Sequence, residues 1–135
     1  MSAHTTRVRV AAAVVWRDGK LLLIQRPPGA TLALQWEMPG GKIEPGESPG
    51  EALSREVREE LGVHATALEV LGTSAHDYPD GPAVEIVFMS CRLASFDFSP
   101  SPAAHAVRWE APQSIDLDSV LAGDREFLVG LGAKR

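Results

Sequence analysis

The chain has 135 residues, 44% of them hydrophobic, with a formal net charge of −5 and one cysteine. That supplies apolar material for one compact core over residues 1–135, and too little chain for a second full domain. No stretch reaches the length of a membrane span, no apolar run precedes a small-residue cleavage site near the start, and no dense Lys/Arg block offers phosphate contacts to a nucleic-acid polymer.

Arg7 to Trp16 is rich in β-branched residues and Lys20 to Gln25 is a short apolar run, with Asp18-Gly19 between them as a hairpin signal. Pro27-Pro28-Gly29 then breaks regular structure, and the segment from Pro39-Gly40-Gly41 to Pro45-Gly46 reads as loops around a short extended piece. Ser48 suits an N-cap, Pro49 a first helical position and Glu51 the third, while Gly62 suits a stop. These residues predict a helix over Pro49 to Leu61, with Leu53, Val57 and Leu61 as its apolar stripe.

Ala67 to Ala75, Val84 to Leu93 and Ala106 to Glu110 read as strands, and 95–102 as a loop. Asp124 is placed to cap a last helix carrying Phe127, Leu128 and Leu131. The pattern predicts an α/β (α+β) domain with a mixed sheet flanked by helices. Cys91, in the apolar run from Val87, reads as a buried strand thiol, which suits a reducing cytoplasm. Monomer and homodimer both remain open. His76 and His105 lack zinc-ligand spacing with each other or with Cys91, and His4 and His64 read as surface residues.

On the predicted helix, Glu56, Glu59 and Glu60 stand at i, i+3 and i+4, gathering carboxylates beside the apolar stripe. Like charges at that spacing destabilise a helix by about 0.2–0.5 kcal/mol per pair, so a cation is wanted beside them. One reading is a solvated acidic face paired with Arg55 and Arg58. The other is a site for Mg2+ or Mn2+, hard ions that take carboxylate oxygens and keep open positions for water and phosphate oxygens. Arg55 is placed to pair with Glu47 and brace the preceding loop against the helix, or to form an ordinary surface ion pair.

The spacing around this cluster is distinctive. Five residues separate Gly41 from Glu47 and seven separate Glu47 from Arg55-Glu56-Val57; Glu59-Glu60 and Gly62-Val63 follow, each after one intervening residue. This resembles the Nudix box of the Nudix hydrolase family at every specified position, over 41–63. The upstream run Trp36-Glu37-Met38-Pro39-Gly40-Gly41-Lys42 resembles the MutT-type nucleoside triphosphate pyrophosphohydrolases.

The resemblance implies a Nudix-like mixed sheet between helices, acting on a small-molecule nucleotide through Mg2+ or Mn2+. Glu56, Glu59, Glu60 and the carbonyl of Gly40 would be the metal ligands, and Glu47 and Arg55 would complete the catalytic set. Glu37, Met38, Pro39 and Gly40 would line the substrate site, with Arg26 on the phosphates and Asp124 on the base edge. Where MutT-type enzymes carry a carboxylate before the tryptophan of the late strand, this chain has Arg108 before Trp109, leaving Glu59, Glu47, Glu85 and Glu110 as candidate general bases. Trp36, Trp109 and Tyr78 could stack on a base or could pack the core and rim.

The expected reaction is hydrolysis of an NTP or dNTP, including oxidised forms such as 8-oxo-dGTP or a cytidine nucleotide, to monophosphate and pyrophosphate. Pro79, sixteen residues beyond Val63 as in some ADP-ribose hydrolases, leaves ADP-ribose or a dinucleoside polyphosphate as an alternative. A nucleotide-binding regulator without turnover is the alternative of another class.

Overall fold

The computed structural model describes residues 7–135, so the expectation for His4 lies outside the described residues. The strands are β1 (Val8–Val14), β2 (Trp16–Arg17), β3 (Lys20–Gln25), β4 (Trp36–Glu37), β5 (Gly40–Lys42), β6 (Ala65–Asp77), β7 (Ala83–Leu93) and β8 (Ala106–Glu110). The helices are α1 (Pro49–Leu61) and α2 (Ala122–Gly130), with short 3-10 turns at Pro112–Ser114 and Leu117–Ser119.

One sheet runs β5-β1-β7-β6, with β1 parallel to β7 and the other pairs antiparallel. In the other, β3 pairs antiparallel with β2 near its start, β4 near its end and β8 throughout. Asp18 at φ 51° and Gly19 at φ 77° make the tight turn between β2 and β3, the conformation in which glycine and aspartate are favoured.

Successive residues of β1 and β3 point to opposite cores, which explains why both strands are apolar almost throughout. Ala11, Ala13, Leu22 and Ile24 join Leu53, Val57 and Leu61 of α1 in one cluster, whereas Ala12, Val14, Leu21 and Leu23 join Val120 and Leu128 in the other. The mixed sheet is thus sandwiched between helices. Truncating a fully buried member such as Leu53 costs about 2–5 kcal/mol.

Helix α1 has the bounds that its caps predict. The Ser48 hydroxyl accepts from the Glu51 N–H at 3.1 Å, the Ser48 N–H donates back to Glu51 Oε1 at 2.9 Å, and Gly62 ends the helix at φ 72°. The expected cap of the last helix is corrected. Leu121 occupies the N-cap of α2 without a side-chain bond, and Asp124 lies inside the first turn, buried, with its carboxylate accepting from the Met38 N–H at 3.4 Å. The apolar surroundings turn that side chain inward to another segment's amide, away from its own helix end.

Candidate active site

Helix α1 packs on β5 and β1, which sets its acidic face against the glycine-rich strand. Gly41 leaves room there for the Glu56 carboxyl, which a Cβ would displace. Gly40, at φ 147°, meets Ala11 as closely, and its N–H donates to Glu60 Oε1 at 3.0 Å. The missing side chain of Gly41 thus makes room for Glu56, that of Gly40 lets the strand lie close against Ala11, and the Gly40 N–H receives Glu60.

Arg55 organises the outer side of this cluster. Its Nε and Nη2 donate to the two Glu47 carboxylate oxygens, Nη1 donates to Glu56 Oε1 at 2.8 Å, and Nη2 also reaches the Lys42 carbonyl at 2.9 Å. The expected Glu47–Arg55 brace is present. Glu59 is the freest of the three helix carboxylates, its side chain 59% exposed and Oε2 standing 3.6 Å from Arg55 Nη1.

The electrostatics distinguish these acids. Hydrogen bonds from Arg55 and from the Glu44 N–H hold the Glu47 carboxyl down to about 2. Burial pushes Glu56 upward, with Arg55 opposing. Burial raises Glu60 well above the usual carboxylate range; the Gly40 N–H opposes that, and the negative charges of Glu37, Glu56 and Glu59 add to it.

A divalent cation fits this chemistry. Arg55 is engaged with Glu47 and Glu56, Arg26 with Glu37, and no ion pair reaches Glu60 among the described residues. Nor is any group of three His, Cys, Asp or Glu side chains among them already gathered as a cage.

The cluster opens into a cleft of about 400 Å³. Arg26, Glu37, Met38, Gly40, Gly41, Lys42, Glu60, Tyr78, Leu121 and Asp124 line it, with apolar Val84 and Ile86. Of the expected substrate residues, Arg26, Glu37, Met38, Gly40 and Asp124 therefore meet in one cleft. Pro39 lies buried behind it, its carbonyl accepting from the Ala13 N–H at 2.7 Å. Glu47, Arg55, Glu56 and Glu59 stand outside the lining, with Glu56 adjoining it through Gly41.

Each Arg26 guanidinium nitrogen makes one bond, Nε donating to the Thr31 carbonyl at 2.7 Å, Nη2 to Thr31 Oγ1 at 3.1 Å and Nη1 to Glu37 Oε2 at 3.1 Å, which leaves one N–H on each of Nη1 and Nη2. Burial raises the Glu37 carboxyl, opposed by Arg26. Asp124 is pushed up to about 8 by burial and by the nearby Glu37 charge, against the Met38 N–H.

Two other candidate bases are tied elsewhere: Glu85 to Arg9 at 3.2 Å across the β1–β7 pair, and Glu110 to Arg108 at 3.1 Å. The Arg108 guanidinium lies 4.2 Å from the Trp36 ring centre, and Trp109 packs with Phe96 and Phe98, so both tryptophans have protein partners. Tyr78 does face the cleft, its hydroxyl accepting from the Gly123 N–H at 3.0 Å and its ring meeting His76 edge-on. Thr31 and Leu32 complete the wall, and nothing in their sequence context marked them out.

The architecture and this corner of it define a class: a two-sheet α/β domain in which a glycine-rich strand and the acidic face of a helix meet beside a cleft that Glu60 lines. The chain belongs to the NUDIX domain family, whose model matches residues 5–130. It is 52% identical over 66 residues to the CTP pyrophosphohydrolase of Escherichia coli (strain K12), a stretch covering 49% of this chain and 49% of that protein. It is 40% identical over 75 residues to an 8-oxo-dGTP diphosphatase of Proteus vulgaris, covering 55% of this chain and 67% of that protein. The matched stretches thus span from about half to two thirds of these relatives' lengths. The MutT protein from Methanosarcina mazei Go1 superposes with a TM-score of 0.85 over 96% of both chains at 22% identity, which shows the shared fold.

Proposed function

We propose that this protein is a pyrophosphohydrolase that, with a divalent metal ion, cuts a nucleoside triphosphate to the monophosphate and pyrophosphate. The observation that carries the reading is Glu60: a half-buried carboxylate that accepts from the Gly40 N–H, stands near further acids and lines a nucleotide-sized cleft. A buried charge without a cation is costly, and a metal held against a polyphosphate removes that cost. The names of the two curated relatives favour CTP and 8-oxo-dGTP as substrates.

Glu56, Glu59, Glu60 and the Gly40 carbonyl would hold Mg2+ or Mn2+. When bound, the ion neutralises phosphate charge and lowers the pKa of the attacking water. Glu47 acts through Arg55, keeping Glu56 and the Lys42 carbonyl in place. Glu59 is the general base, through the carboxylate oxygen that would not hold the ion: its side chain is 59% exposed and only 3.6 Å from Arg55, whereas Glu47, Glu85 and Glu110 pair with arginines at 2.8, 3.2 and 3.1 Å. Arg26 contacts the phosphates, Glu37 orients Arg26, Met38 lines the cleft, and Pro39, buried next to it, supports that lining. Asp124 meets the base edge in this partly apolar cleft, where a single buried polar group discriminates strongly between bases.

We take residues 1–135 as one domain working as a monomer or homodimer. The buried thiol of Cys91, which burial pushes up to about 11, suits a reducing cytoplasm. Among the described residues no helix is long and apolar enough to cross a membrane.

A nucleotide panel with magnesium tests the reaction. Monophosphate and pyrophosphate in equal amounts, with CTP or 8-oxo-dGTP among the best substrates, are expected. Release of inorganic phosphate alone, or no product from any triphosphate, would refute it.

A further inference from the structure

Tyr78, the only tyrosine of the chain, directly follows β6 and lines the cleft half-buried. Its hydroxyl oxygen accepts from the Gly123 N–H at 3.0 Å. A backbone N–H can only donate, so that bond uses a lone pair of the phenol and leaves the phenol proton over. Among the described residues no protein acceptor takes that proton. Apolar Val84, Ile86 and Leu121 line the same cleft, where a donor without a partner costs free energy until a ligand supplies an acceptor.

Gly123 fixes where the hydroxyl stands. A Cβ at that position would lie 3.1 Å from the Tyr78 oxygen and 2.9 Å from Ile86 Cδ1, so the bare backbone lets the phenol reach the first turn of α2. Ser74 Oγ donates to the Gly123 carbonyl at 3.0 Å, and the Tyr78 ring meets His76 at 4.4 Å, close to edge-on. Asp124 is the next residue, its carboxyl accepting from the Met38 N–H at 3.4 Å. One glycine therefore sets a phenol donor near a buried carboxyl in the same cleft. The phenol stays protonated at neutral pH, because burial raises it; the Gly123 N–H opposes, and the charges of Asp124 and Glu37 add to the rise.

We infer that Tyr78 is a base-reading residue: its hydroxyl donates to a ring nitrogen or carbonyl oxygen of the nucleobase, beside the atom that Asp124 contacts. This rests on the reading of the cleft as a nucleotide site. The sequence leaves this side chain as a stacking platform or as packing, whereas the bond to Gly123 holds it by its oxygen. Two polar groups then meet the base edge among apolar walls. A base that pairs with one of them alone leaves the other buried and unpaired, and that penalty is what lets such a site discriminate. Ribose and phosphate ask nothing of the phenol, so its hydroxyl matters only for ligands that carry a base.

Calorimetric titration of the full chain with magnesium reads this, using CMP and 8-oxo-dGMP as probes and ribose 5-phosphate as the base-free control. Tyr78→Phe should bind the better of the two monophosphates about tenfold more weakly, the worth of one hydrogen bond, and ribose 5-phosphate within about twofold of the unmodified chain. Ser74→Ala loosens Gly123 without removing a group from the cleft lining, and it should stay within about twofold for every ligand. Unchanged monophosphate affinity in Tyr78→Phe, or an equal loss in Ser74→Ala, would overturn the base-reading role. A second reading needs no substitution. With the lone tyrosine isotope-labelled at its phenol carbon, the single magnetic resonance signal should shift with the monophosphate and hold with ribose 5-phosphate. Equal shifts, or none, would contradict the proposal. Pyrophosphate release by the unmodified chain, measured alongside, tests the hydrolase reading separately, so a failed contact is told apart from a failed activity.

Discussion

The two carboxylate oxygens of Glu47 accept from Nε and Nη2 of Arg55 at 2.8 Å each, a planar fork that leaves Nη1 for Glu56. Such a fork sets orientation as well as distance. Glu47→Gln should therefore slow turnover by about 100-fold, the scale of a slight misplacement of catalytic groups, while the melting temperature shifts little because the pair is partly exposed. Its folded pKa of about 2 lies below the ordinary 4.5, so the brace is complete above about pH 4.5 and fails only as pH falls toward 2. An activity profile between pH 5 and 9 that keeps its shape in Glu47→Gln, at lower amplitude, would bear this out.

Asp124 carries the opposite sign. Its folded pKa of about 8 lies above the ordinary 3.8, so stability is fullest below about pH 4 and is lost as pH rises to 8. Asp124→Asn can still accept from the Met38 N–H without the charge. It should be more stable than the unmodified chain by on the order of 2 kcal/mol at pH 8, and no more stable near pH 4. Thermal melts at the two pH values check this, and the same variant should change which base is preferred.

Glu60→Gln separates metal chemistry from folding. The amide oxygen keeps the Gly40 N–H satisfied and removes a buried charge that three other acids repel. Turnover should fall by about 100-fold or more, while the metal-free melting temperature at pH 8 holds or rises. A folded variant with ordinary turnover would remove Glu60 from the metal shell.

At Gly41 the space itself is the device. Gly41→Ala places a Cβ against the Glu56 carboxyl, which must swing away. Metal affinity should fall by about tenfold, in line with disturbing a ligand's surroundings, with a stability loss of about 1–2 kcal/mol. Calorimetric metal titration against a thermal melt distinguishes the two effects.

Helix α1 was legible because Ser48, Pro49, Glu51 and Gly62 each act on backbone within a few residues of themselves. The same locality makes the Glu47–Arg55 pair readable, since the N-cap Ser48 and about two turns of helix separate them. Strand β4, only Trp36 and Glu37, has no periodicity to read, and it exists because β3 offers it an edge. The parallel pairing of β1 with β7 and the division into two sheets are long-range outcomes that leave no local mark. Asp124 shows the limit most clearly. Its neighbours in sequence favour a cap, yet its partner is Met38, 86 positions away, and burial decides between them. Thr31 and Leu32 were missed for a related reason, because a loop's backbone angles are set by the neck that closes it.

The central claim is that the carboxylates of one short helix grip a divalent cation. Electron paramagnetic resonance of Mn2+ titrated with the unmodified chain and with Glu60→Gln tests it most directly. The free-ion signal should be depleted by the unmodified protein and restored by competing Mg2+, with little depletion by the variant. Equal depletion by both proteins, or by neither, would contradict the claim.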